Sequence, residues 1–100
     1  MGYCMHVELH ESEHKVVAEG ITIELLPKEF ALLQFLYRNK GLAFSREHLL
    51  DKVWPLEYPV ERTVDDHIYR LRKKLVNLEG LDIKTVRGFG YSLSMRDSAA

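Results

Sequence analysis

The side chains best equipped for chemistry in this chain are its late cations. Arg62, Thr63, His67, Tyr69, Arg70, Arg72, Lys73 and Lys74 crowd one stretch, and Thr85 and Arg87 follow closely. A guanidinium offers a rigid fork of donors, and an ammonium is a compact point charge. Together they suit a surface rich in acceptors and negative charge. Bond-breaking chemistry would need a nucleophile, a base and an orienting group in one cluster. The sequence shows no such cluster, so neither an enzyme nor a cofactor is expected.

Spacing turns these residue types into a surface. Val64, Ile68, Leu71 and Leu75 fall at i, i+4, i+7 and i+11, which makes one apolar stripe along a helix. The opposite face is centred on Asp66, Tyr69, Arg70 and Lys73. Thr63, His67 and Lys74 flank that face on one side, and Asp65 and Arg72 lie toward the other. Thr63 is expected to cap this helix, with Asp66 three residues on as in a capping box. Residues 83–93, Ile-Lys-Thr-Val-Arg-Gly-Phe-Gly-Tyr-Ser-Leu, read as a basic β-hairpin. Thr85 and Arg87 should share one face of it, with Val86, Tyr91 and Leu93 inward. Gly88 and Gly90 would allow a close approach to a groove.

Other elements must hold the helix and hairpin in place. Met5, Val7 and Leu9 alternate with polar residues, Lys15–Ala18 is a second strand candidate, and Ile21–Leu25 alternates as a third. Glu19-Gly20 is a hairpin turn between the last two. Pro27 opens a helix to about Asn39 whose Phe30, Leu32, Leu33, Phe35, Leu36 and Tyr37 predict extensive burial. Ser45 caps a second helix that carries Leu49, Leu50, Val53 and Trp54, and Pro55 ends it. Residues 56–61, with Pro59, are a loop, and 96–100 a tail. The expected class is α+β: an N-terminal antiparallel sheet, three helices and a C-terminal hairpin wing, all one domain over residues 1–100.

Composition narrows the setting. With 46% hydrophobic and 29% charged residues the chain is globular rather than disordered. Its apolar runs are short, so no membrane segment is expected, and no signal peptide is apparent. Cys4 stands alone, which rules out an internal disulfide and fits a reducing cytoplasm. The formal net charge is −1, yet residues 1–61 hold six Lys/Arg against ten Asp/Glu while 62–100 hold eight against five. A DNA-binding protein needs one basic face, not a basic whole. His6, His10 and His14 recur every four residues, but on alternating strands this spacing lines up no metal ligands, and no metal is expected.

With these pieces in order, the chain resembles the C-terminal effector domain of OmpR/PhoB-type response regulators. Residues 26–33 are similar to that family's first-helix opening, 45–54 to its second helix, 62–75 to its recognition helix and 83–91 to its wing. The match covers about residues 3 to 95, and nothing in the 100 residues corresponds to the family's phosphorylatable receiver domain. The resemblance implies a winged helix-turn-helix that binds double-stranded DNA within a two-component system. The recognition helix, about 63–75, would enter the major groove and the wing, about 83–93, the minor groove. It also implies direct-repeat promoter sites, a homodimer on DNA, and contact of the 55–61 loop with RNA polymerase.

Arg70 is then the expected base reader, since its fork fits guanine O6 and N7. Thr63, His67, Arg72, Lys73 and Lys74 are expected on phosphates, with Lys74 open to a merely solubilising role. Arg62 would reach the backbone or close onto the domain, Tyr69 is open between duplex and domain, and Arg87 is placed at the minor groove beside Thr85. Departures from the family pattern are Leu26 where a Thr cap is usual, Asp66 beside the DNA face, and Tyr69 and Ser92 where Arg is common. Asp66 is expected to aim Arg70 rather than accept from a cytosine. Asp66, Tyr69 and Ser92 keep alive a rival reading, a winged helix that binds proteins and little DNA. A metal-binding or enzymatic module on the N-terminal histidines is a third.

Overall fold

The structure, a computed structural model, describes residues 7–57, 60–78 and 80–95. The places expected for Cys4, Met5, His6, Pro59 and the tail fall outside these residues. The chain begins with a meander of β1 (Val7–His10), β2 (Lys15–Ala18) and β3 (Ile21–Glu24), antiparallel in that order. Glu19 and Gly20 join β2 to β3 with φ of 52° and 77°. Two successive positive φ values are what a two-residue type I′ turn requires. Val16 and Ala18 point into the core from the central strand.

α1 (Pro27–Arg38) follows, with Pro at its first position. Leu26 cannot cap with its side chain, but the Glu29 carboxylate reaches back and accepts the Leu26 N–H at 2.9 Å. Half of a capping box is thereby kept. Phe30, Leu32, Leu33 and Leu36 are buried, as the dense apolar pattern of this helix requires. Asn39 ends it and donates its side-chain N–H to the Phe35 carbonyl at 2.8 Å.

α2 (Arg46–Val53) starts at Ser45, whose hydroxyl accepts the His48 N–H at 3.1 Å. α3 (Glu61–Lys74) lays Val64, Ile68 and Leu71 against the other two helices. The final hairpin is β5 (Leu81–Val86) and β6 (Gly90–Met95). A short strand, β4 (Ala43–Ser45), pairs with the other edge of β6, so the second sheet has the order β4-β6-β5. Three residues are too few for periodicity to reveal β4.

Three local expectations need correction. α3 begins two residues before Thr63. Val60 is its N-cap, and no side chain caps it. Thr63 lies in the first turn, its N–H bonded to the Val60 carbonyl at 2.9 Å. Glu61 and Arg62 are good helix formers, and Glu61 places negative charge where the helix dipole favours it. A lone Thr does not stop such a helix from extending upstream.

Val86 does not point inward. The register pairs Ile83 with Leu93 and Thr85 with Tyr91, so these share the inner face. Val86 sits opposite Gly90 on the other face and is half-buried. The buried Leu81 and Ile83 set this alternation, and a period of two leaves Val86 outside.

Gly90 is not a groove-facing residue. A Cβ there would collide with the Phe44 carbonyl oxygen, so its bareness serves the pairing of β6 with β4.

Candidate nucleic-acid interface

The α3 residues sort into two groups by where their side chains go. Opposite the buried stripe, Arg62, Asp66, Tyr69, Arg70 and Lys73 are exposed along the whole helix. Among the described residues, the side chains of Arg62, Asp66 and Arg70 make no hydrogen bond or ion pair. Asp66 therefore does not hold Arg70, contrary to expectation, although the two stand one turn apart. Tyr69 is 63% exposed, and the Lys73 ammonium lies 5.2 Å from its ring centroid. That cation–π contact stiffens both side chains without withdrawing them from solvent.

The second group is engaged with the rest of the domain. Asp65 accepts from Arg46 Nε at 2.7 Å and from the Tyr91 hydroxyl at 2.5 Å. It thus joins the start of α2, α3 and the wing. The guanidinium of Arg46 lies 5.5 Å from the Tyr91 ring centroid and that of Arg72 5.6 Å. Arg72 donates Nε and Nη2 to the Ile83 carbonyl at 3.1 and 2.9 Å, and Nη2 to the Thr85 hydroxyl at 2.8 Å. Arg72 and Thr85, both expected on DNA, thus bond each other and fix β5 to α3.

Charge and burial pull against one another at this junction. Burial opposes ionisation of Asp65, but the bonds from Tyr91 and Arg46 outweigh it and hold the carboxyl below its ordinary value. Burial, reinforced by the bond to the Asp65 carboxylate, raises the Tyr91 phenol. The hydrogen bond to Asp65 likewise raises Arg46.

Lys74, expected on phosphate, turns inward instead. Its ammonium lies 2.6 Å from Oε1 of Glu29, whose side chain is fully buried. Burial alone would raise the Glu29 carboxyl; the bonds from Lys74 and the Leu26 N–H dominate and lower it. The same carboxylate thus caps α1 and ties it to the last turn of α3.

His67 is half-buried, edge-on to Trp54 at 4.9 Å, with Nδ1 2.8 Å from the Thr63 carbonyl. A carbonyl oxygen only accepts, so Nδ1 carries the proton. In the neutral ring Nε2 is then an acceptor, and only the imidazolium could donate to a phosphate there.

At the tip of the wing, Arg87, Gly88 and Phe89 form the turn, closed by the Phe89 N–H to the Val86 carbonyl at 2.9 Å. Arg87 is exposed there. Its side chain has no hydrogen bond or ion pair among the described residues.

Sequence reasoning gave no role to Arg46 or Asp65 and read Tyr91 only as inward packing. The available signal was Asp65 beside the apolar stripe, a carboxylate at the border of a buried face, where an unpartnered charge is costly. Its partners are remote in sequence, so nothing local identifies them.

A family model described as "Transcriptional regulatory protein, C terminal" matches residues 20–93. The chain belongs to that family, the winged-helix effector domains of OmpR/PhoB-type response regulators. It is 47% identical over 93 residues to the phosphate regulon transcriptional regulatory protein PhoB of Rhizobium meliloti, covering 90% of this chain and 40% of that protein. The chain therefore spans well under half the length of this curated relative.

Among solved structures, it is similar to the DNA-binding domain of Bacillus subtilis CssR, with 38% identity and a TM-score of 0.74. That match covers 88% of this chain and 99% of the other. It is similar too to the Klebsiella pneumoniae RstA DNA-binding domain, solved in complex with the RstA box. There the identity is 30%, the TM-score 0.76, and coverage 93% and 96%.

Proposed function

We propose that this domain binds double-stranded DNA sequence-specifically, as the effector part of a cytoplasmic two-component transcriptional regulator. The observation that carries the reading is the open stripe of α3. Arg62, Arg70 and Lys73 face solvent, and a packed apolar stripe on the opposite side fixes how they project. Such a helix fits the major groove, while Arg87 on the wing tip suits the negative potential of an adjacent minor groove.

Arg70 reads guanine, and Tyr69 lies beside it against the base edges. Arg62, Lys73 and the imidazolium form of His67 meet phosphates, with Thr63 at the start of the helix beside them. Arg72, Thr85 and Lys74 act from behind by setting the angle of wing and helix. The resemblance to the family further implies direct-repeat sites occupied by a homodimer.

Contact with RNA polymerase falls to the loop after α2, where Leu56 is 92% exposed beside Pro55 and Glu57. No helix among the described residues is long and apolar enough to cross a membrane.

Duplex titration at several salt concentrations tests the proposal. Neutralising four to six phosphates gives a log–log slope of about −4 to −5. A flat salt response would remove DNA as the partner and favour the protein-binding alternative.

A further inference from the structure

Asp66 is the one acid on the open stripe of α3. Arg62 stands four residues before it and Arg70 four residues after it, and it pairs with neither. Its carboxylate projects where the duplex would lie. A carboxylate is repelled by phosphate and by the acceptors of guanine and thymine. It is satisfied only by a donor, and the major groove offers two, the amino groups of adenine and cytosine. Adenine places its N7 lone pair next to that amino group, which repels a second carboxylate oxygen. Cytosine presents a C–H there. We propose that Asp66, one helical turn before Arg70 on α3, determines specificity by accepting a hydrogen bond from a cytosine N4 amino group near the guanine read by Arg70.

The inference rests on the DNA-binding reading and goes beyond it. It assigns to a residue that thins the basic face a positive role in choosing the site. The neighbouring cations make this possible, because Arg62 and Arg70 offset the repulsion between Asp66 and the phosphates.

Selection of bound sequences from a random duplex pool, with the wild-type chain, Asp66→Ala and Asp66→Asn, tests it. Asp66 is exposed and outside the apolar stripe, so all three should melt alike. The wild-type sites should carry a cytosine at one position near a guanine. Asp66→Ala should lose preference at that position alone and bind random duplex more tightly. Asp66→Asn should change the position from cytosine to adenine, because an amide both accepts from N6 and donates to N7.

A duplex in which that cytosine is replaced by a pyrimidinone lacking the amino group should bind the wild type about tenfold less tightly and leave Asp66→Ala unaffected. Identical preferences in all three proteins, with only a uniform gain for Asp66→Ala, would reduce Asp66 to a repeller of phosphate and overturn the proposal. So would loss of the guanine preference in Asp66→Ala, which would make Asp66 a positioner of Arg70. If the wild type retained no duplex at any salt concentration, the DNA-binding reading itself would fall with it.

Discussion

The two sides of α3 carry the same kinds of residue and use them differently. On one side Asp65, Arg72 and Lys74 reach Arg46, Tyr91, Ile83, Thr85 and Glu29, and every charge meets a partner. On the other, Arg62, Asp66 and Arg70 meet none among the described residues. Both sides are rich in charge, so charge count alone does not distinguish a binding face from a fastening one. The accounting of partners does. A cation satisfied inside the domain has little left for a ligand, while an unpartnered one costs nothing to redirect. The inward side fixes the angle between α3 and the wing, and the proposed DNA contact of the open side depends on that angle.

This division predicts different kinds of damage. The largest effect falls on the inward side at Glu29. Removing a buried carboxylate that serves both a cap and an ion pair should cost about 3 kcal/mol or more of stability, read by chemical denaturation. Base preference should be unchanged in whatever fraction remains folded. On the open side, Arg70→Ala should cost about 1–3 kcal/mol of binding to the cognate site and relax preference at one base pair, with no shift in melting temperature. A melting shift as large as that of Glu29→Ala would erase the distinction between the sides.

Acid sharpens the comparison. Glu29 and Asp65 both have lowered folded-state values. Their contribution is full above the unfolded carboxylate range and is lost as pH falls through the folded values. The fold should therefore weaken below about pH 5. Glu29→Gln keeps an acceptor for the Leu26 N–H but loses the charge facing Lys74. It should be about 1–2 kcal/mol less stable at neutral pH and less sensitive to acid. An unaltered acid limb in denaturation curves would mean Glu29 is not the group titrating. The smallest effect is at Lys73, where Ala should weaken cognate and random duplex equally and reduce the salt slope by about 1.

Much of this was legible in the sequence, and the reasons are physical. The stripe of Val64, Ile68, Leu71 and Leu75 fixes which residues of α3 face outward, so Tyr69, Arg70 and Lys73 were placed by periodicity alone. Pro27 and Ser45 mark their helix starts through local backbone chemistry, and Glu19-Gly20 marks a turn. What stayed hidden depends on contacts distant in sequence. Lys74 is drawn inward by Glu29, 45 residues earlier. Arg72 and Thr85 each read as a separate DNA contact because the bond between them is tertiary. β4 exists because β6 offers it an edge, and Gly90 is bare for the same reason.

Arginine Nε–H signals during titration of the chain with a cognate duplex test the central claim most directly. In the free domain Arg46 and Arg72 each donate Nε within the fold, to Asp65 and to the Ile83 carbonyl. Their Nε–H groups should be slow to exchange before DNA is added and change little afterwards. Those of Arg62, Arg70 and Arg87 should exchange rapidly in the free domain and become protected on binding. Protection of Arg46 and Arg72 appearing only with DNA, while Arg70 stays exposed throughout, would contradict the account.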